Sequence, residues 1–249
     1  MLYSDPQVPI VNAGEKYLTG MNLAWVSTTT ITAAAGQCRD ITNTIDIAFS
    51  APVTANIAVN GVNGLDVGTV ANSTFYAVWV IADSSKYKAP ALQFSLSYAN
   101  PTLPFGYDTV RYIGSVLTDG SAHILKFWQY NSGKDRTMLY DAAISAIDAG
   151  NATTLTAIDL SASVPPKACL VVARLLYIPA SAPNVAEFAP YGSTSANGIA
   201  VFGTGVAAQQ AGNLVIPCAL NVAAPTVLYQ VTNGGDDLDV LVSGYIDQL

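Results

Sequence analysis

The stretch "VNGVNGLDVGTVANSTFYAVWVIADSS", residues 59–85, sets a run of Gly, Asn and Asp against Phe75–Ile81, which carries no charge at all. Gly, Asn and Asp make tight turns, because they tolerate left-handed backbone or hydrogen-bond to it locally. Aromatic and β-branched residues suit a pleated, packed surface. Phe75, Tyr76 and Trp79 occupy both parities of the run. Both faces of this strand should therefore be covered, as in the centre of a sheet. The stretch reads as turn, strand, turn.

The same texture fills the chain. Candidate strands run Tyr17–Val26, Thr29–Ala34, Thr44–Ala48, Val53–Ile57, Thr74–Ala82, Leu92–Leu96, Arg111–Thr118 and His123–Tyr130. They resume at Leu155–Asp159, Ala168–Ile178, Gly198–Gly203, Gly212–Cys218, Thr226–Thr232 and Asp239–Ile246. Short strands at this turn spacing predict an all-β fold of antiparallel β-sandwich, jelly-roll-like units with little helix. Within 123–129 the parity is mixed, so Lys126 must run its stem along apolar surface to reach water. Between Ala99 and Tyr107, Pro101 and Pro104 favour extended backbone and Gly106 permits a sharp turn. That segment reads as an ordered crossing rather than a hairpin. Residues 131–150 hold the densest mixed charge and the one helical-looking turn, Asp141–Asp148. They place a boundary between two β units, 1–140 and 141–249, with no residue-level repeat between them.

Composition narrows the class. Of 249 residues, 51% are hydrophobic and only 11% charged, which suggests a membrane protein, a secreted β protein or an assembly subunit. No apolar run reaches the roughly 18 residues of a spanning helix, so membrane insertion is not expected. The N-terminus lacks a basic region followed by an apolar core, so assembly inside a cell is expected. Seventeen acids against ten bases give a net charge of −7, a poor balance for nucleic-acid phosphate. Most acids are Asp in turn-like settings and read as turn formers.

The chemistry-bearing residues are few. The single histidine, His123, excludes every metal site that needs two, and no Gly-x-Ser-x-Gly elbow accompanies it. Cys38, Cys169 and Cys218 are odd in number and widely spaced, and read as small packed groups. Paired carboxylates could serve a polysaccharide hydrolase. However, Asp66, Asp119, Asp236 and Asp237 sit in Gly- and Asn-rich turns rather than the apolar pockets that tune a catalytic acid. Asp236, Asp237 and Asp239 could hold Ca²⁺, but their spacing departs from an EF-hand loop, and a hairpin turn with solvated acids is the simpler reading. Gly203–Ala208 imitates a dinucleotide fingerprint without the helix or the following acid. Asn72 and Asn151 head formal glycosylation sequons, which mean little without a secretory signal. Trp25, Trp79 and Trp128 could stack on sugar rings, yet each sits in a strand-like run and reads first as core. No catalytic, cofactor-binding or metal-binding residue is assigned.

Four segments carry a resemblance: Val62–Gly68, Ser73–Ile81, Pro101–Tyr107 and Arg111–Gly120. In order they resemble the "GLD-x-G", aromatic strand, "PTLP-x-GY" and "R-x-IG-x-V-x-TDG" of virion structural proteins from tailed bacteriophages. Asn12–Gly14, Gly36–Asp40 and the ending Val242–Asp247 look similar to the same family. The resemblance covers the first 130 residues and the remainder more loosely. It implies a non-enzymatic subunit of the virion, in a tail-fibre, head-fibre or decoration role. It also implies a homotrimer whose partners are its own copies and other capsid or tail proteins. Heptad or collagen-like segments are absent, which favours a compact subunit over a long fibre. A receptor- or carbohydrate-binding module recognising host-surface glycan is the alternative, and an Asp-based depolymerase the weaker one.

Overall fold

The computed structural model describes residues 17–130, 134–181, 183–195, 200–203, 209–218 and 224–249. The N-terminal Asn12–Gly14, Asn131–Gly133, and the Thr204–Ala208 part of the fingerprint-like run lie outside them. Among the described residues there are nineteen strands and no helix, so the all-β expectation holds. No helix is long and apolar enough to cross a membrane among them.

Two three-stranded sheets come first. One orders β1 (Leu18–Gly20), β4 (Gly36–Arg39) and β5 (Asp46–Phe49); the other orders β2 (Leu23–Trp25), β3 (Thr30–Ala33) and β6 (Val53–Asn56). The single strand read over Tyr17–Val26 is thus two, split where Gly20 and Met21 take φ of 65° and 55°. A four-stranded sheet has the order β10-β8-β9-β7, from β7 (Gly64–Leu65), β8 (Phe75–Ala82), β9 (Ala91–Ser95) and β10 (Thr109–Leu117). Only the β7/β9 pair among the named strands is parallel.

β8 is central, as its parity requires. Tyr76, Val78, Val80 and Ala82 join the main core, while Ala77, Trp79 and Ile81 face the other way. Because β9 and β10 flank β8, the chain between them has to cross β8's outer face. The proline-rich segment does this, laying Tyr98, Leu103 and Tyr107 over Trp79 and its neighbours. Trp79 Nε1 donates to Ser97 O at 3.1 Å, and Asp66 Oδ2 accepts from Ser95 Oγ at 2.6 Å and Thr102 N at 3.2 Å.

The five-stranded sheet has the order β11-β12-β19-β14-β17: β11 (Phe127–Tyr130), β12 (Asp135–Gly150), β14 (Ala168–Ile178), β17 (Gln210–Pro217) and β19 (Asp237–Gln248). A further four-stranded sheet orders β13 (Thr156–Asp159), β18 (Thr226–Val231), β15 (Val185–Pro190) and β16 (Ala200–Gly203). Inward-facing Val171, Ala173, Leu175 and Tyr177 of β14 and Leu238, Val240 and Val242 of β19 share one buried cluster with Ile158, Phe188, Val227 and Tyr229.

Two readings are corrected here. The helical turn over Asp141–Asp148 is strand, the middle of β12, paired to β19 through Ile144↔Val242, Ser145↔Leu241 and Ile147↔Val240. Ala-rich sequence favours helix locally, but cross-strand pairing beside a packed sheet outweighs a local preference of well under 1 kcal/mol per residue. Only Phe127–Tyr130 of His123–Tyr130 is strand, and Val185–Pro190 is a strand that the turn pattern did not reveal. The boundary placed at 140/141 falls inside β12.

Candidate functional site

The site begins at an irregularity in β10. Tyr112 pairs with Trp79 but Gly114 pairs with Val78, so Ile113 is an extra residue, a β-bulge. Gly114 takes φ of +145°, a conformation closed to most side chains. The bulge frees the Ile113 carbonyl from the ladder, and Arg136 Nη1 donates to it at 3.1 Å. Arg136 also donates to Met21 O at 2.8 Å and to Gly20 O, tying β12 to the β1–β2 bend. Its guanidinium is fully buried, and burial pushes its pKa down to about 10.

Beside the bulge runs a chain of hydroxyls. Tyr98 Oη donates to Ser115 Oγ at 3.0 Å, Ser115 Oγ hydrogen-bonds Tyr112 Oη at 2.7 Å, and Tyr112 Oη donates to Asp247 Oδ2 at 2.8 Å. Tyr245 Oη donates to the Ser115 carbonyl at 3.0 Å. Asp247 is fully buried, and its Oδ1 has no hydrogen-bond partner among the described residues. Burial raises this carboxyl to about 7, against the opposing pull of the Tyr112 hydrogen bond and of Arg136 and Lys167.

Above this chain lies a cavity of about 470 Å³, lined among others by Trp79, Tyr98, Tyr112, Arg111, Lys134 and Lys167. Three of the ten bases in an acidic chain converge on it. The rings are mutually packed, with Trp79 and Tyr112 centroids 5.6 Å apart and Tyr98 and Tyr112 5.9 Å apart. Lys134 and Lys167 are exposed at the rim. Arg111 is only 5% exposed, and its Nε is buried without a partner among the described residues. Burial lowers its pKa, with Cys38 and Asp40 acting in the opposite sense. Asp40 does not reach out to it, since its oxygens accept from the amides of Thr42, Thr44 and Ile45. The cavity offers charge, a planar donor fork and aromatic walls.

The residues singled out from sequence are scattered. His123 is exposed in the loop after β10, with Nδ1 3.7 Å from Asp119 Oδ2. Cys38 and Cys218 are buried, and burial pushes both thiols up to about 12; Cys169 is half-buried and its thiol donates to Ile246 O at 3.2 Å. Asp119 accepts from the amides of Ser121 and His123, as a turn former does. Trp79 is core and Trp25 half-buried, while Trp128 is exposed under Lys126, whose ammonium lies 5.0 Å from the ring centroid. No group of three or more acidic, His or Cys residues is placed to hold a metal among the described residues.

Asp236 departs from the solvated-turn reading. It is 3% exposed, and its carboxylate accepts from Ala180 N, Asn184 Nδ2, Tyr177 Oη and Asn233 N at 2.7 to 3.1 Å. Burial opposes its ionisation, but these bonds outweigh it and hold the carboxyl below the usual range. Asp239 Oδ1 accepts from Ala149 N at 3.0 Å, away from Asp236's partners.

Sequence reasoning missed Arg111, Lys134, Lys167 and Asp247 as a group. Its available signal was charge at inward positions of apolar runs, in Val110-Arg111-Tyr112 and Tyr245-Ile246-Asp247.

No family model and no curated protein matches the chain. Among solved structures it is similar to "Structure of infectious bursal disease virus Gx strain" at 11% identity and a TM-score of 0.21, over 96% of this chain and 67% of that one. It is similar to a Bacillus thuringiensis Cry1Da tryptic core variant at 8% identity and a TM-score of 0.17, over 93% of this chain and half of that one. Likenesses this distant carry no argument about fold or function.

Proposed function

We propose that this chain is a non-enzymatic structural protein of a tailed-bacteriophage virion. It is a β-rich, homotrimeric subunit seated on the tail or capsid, working through contacts with its own copies and with other virion proteins. The observation that carries the surface-contact reading is an aromatic tip built from two loops. Tyr87 is 92% exposed and Phe105 96%. Lys88 joins the loops, donating to the Phe105 carbonyl, with its ammonium 5.3 Å from the ring centroids of both Phe105 and Tyr107. Asp83 fixes the first loop by accepting from the amides of Ser85, Tyr87 and Lys88. Large rings held outward on braced loops suit a surface that another molecule covers. The sequence resemblance supplies the particle. The decisive experiment is a reconstruction of the intact virion: density for this chain at trimeric positions supports the reading, and its absence from particles refutes it.

A second reading, a glycan- or receptor-binding module, is favoured by the aromatic, cation-lined cavity. Binding to a glycan array or adsorption to host cells tests it. An Asp-based depolymerase gains no such support, because Asp40, Asp83 and Asp119 brace their own loops and Asp66 and Asp236 are held by donors from distant segments.

A further inference from the structure

The geometry points to the Arg111 cavity as a binding site for the carboxylate of an acidic sugar, a uronic-acid type of residue. This rests on the second reading above and specifies its ligand. The argument starts from cost. A guanidinium withdrawn from water is stable only when its donors find acceptors, and a buried unpaired charge costs several kcal/mol. Arg111 sits inside β10 opposite Val80, so the ladder fixes where its stem emerges. The acid whose charge acts on it, Asp40, is committed to its own loop. The missing acceptor is therefore expected from outside, through the cavity that Arg111 lines.

The shape of the donor set selects the class. A planar guanidinium matches a carboxylate in a two-point contact, which a point charge does not. Lys134 and Lys167 at the rim add attraction without being desolvated. A net charge of −7 over the whole chain opposes a long polyanion, so one isolated carboxylate fits better than a phosphate backbone. Tyr98 and Tyr112, both half-buried, provide apolar walls for the C–H face of a pyranose, with Trp79 packed behind them. The Tyr98 and Tyr112 hydroxyls are already engaged with Ser115 and Asp247, leaving the exposed Gln248 to meet sugar hydroxyls. A volume of about 470 Å³ lies within the range of small-ligand sites.

The test is calorimetric titration of the full chain with methyl glucuronide, methyl glucoside and inorganic phosphate. Saturable binding of the glucuronide, with the glucoside at least about tenfold weaker, is expected. Arg111→Lys, which keeps the charge but loses the fork, should weaken glucuronide binding by about tenfold or more. Lys126→Gln, remote from the cavity, should change nothing. Should Arg111→Lys lose its fold by circular dichroism, the paired rim changes Lys134→Gln and Lys167→Gln, both at exposed positions, should still weaken binding severalfold. Equal affinity for glucuronide and glucoside, or phosphate binding as tightly as glucuronide, overturns the proposal. Binding of neutral glycans on an array, unchanged in Arg111→Lys, would retain the glycan-binding reading while removing this site. Failure to bind any glycan would remove both.

Discussion

Two buried aspartates give this protein opposing responses to pH. Asp247, raised to about 7, keeps its proton in the folded chain where the unfolded chain, near the ordinary value of about 4, has lost it. Its contribution to stability is therefore present at low pH and falls as pH rises through 7. Asp247→Asn keeps an acceptor for Tyr112 and removes the charge. It should raise stability at pH 8 by roughly 1–3 kcal/mol and leave pH 4 almost unchanged, as read by denaturant melts. Asp236 has the opposite sign. Its pKa is held below the usual range, so its stabilisation is full above about 4 and lost as pH falls further. Asp236→Ala should cost about 3 kcal/mol at pH 7, where it removes the charged acceptor shared by Tyr177 and Asn184, and less at pH 2, where that charge is already lost. The turn role of the acids was legible in the sequence, because Asp beside Gly and Asn is a local signal. Their burial was not. Whether Asp236 or Asp237 turns inward depends on Tyr177 and Ala180, more than fifty residues away.

At the scale of strands, β8 was readable and β12 was not. Apolar residues at every position of 75–82 leave a two-faced strand as the natural reading, and the proline segment had to cover one face. Residues 141–148 carry Ala, Ile and Ser in a period that suits helix or strand, so the partner decides, and that partner is β19. The ladder between them is irregular, with register shifts between Leu139 and Ile144, Ser145 and Ile147, and Ile147 and Gly150. β19 also shifts against β14 between the pairs Val172↔Gly244 and Ala173↔Val242. Across this shift its buried set changes from Leu238, Val240 and Val242 to Tyr245 and Asp247. Gly244 sits at the change, where an added Cβ would lie 1.9 Å from the Met138 carbonyl oxygen. Gly244→Ala should therefore lower the melting temperature sharply, by an amount matching a loss of about 4 kcal/mol or more. A melting point unchanged from the parent would mean that β12 and β19 separate there without cost. The cavity above the hydroxyl chain escaped the sequence for a related reason: Arg111, Lys134 and Lys167 come from three separate elements and meet only once β19 is seated.

For the molecule as a whole, low charge and abundant apolar residues pointed to covered surfaces, and the exposed rings are concentrated enough to test. Tyr87→Ser with Phe105→Ser removes the aromatic tip without touching the core. If that tip mediates self-association, light scattering should show the parent oligomer replaced by monomer, with an unchanged circular dichroism spectrum. A variant that stays oligomeric places the self-contact elsewhere. The fold class could be read from the chain because turn chemistry and strand texture are local properties. The arrangement of the sheets could not, because it depends on pairings such as Arg136↔Asp247 across more than a hundred residues.

The position of β19 has a mechanical consequence. It lies between β12 and β14 and is hydrogen-bonded to both along most of its length. Bonds in an antiparallel ladder run perpendicular to the strands. Tension along β19 would thus load both rows of bonds in shear, all at once, instead of unzipping them one at a time.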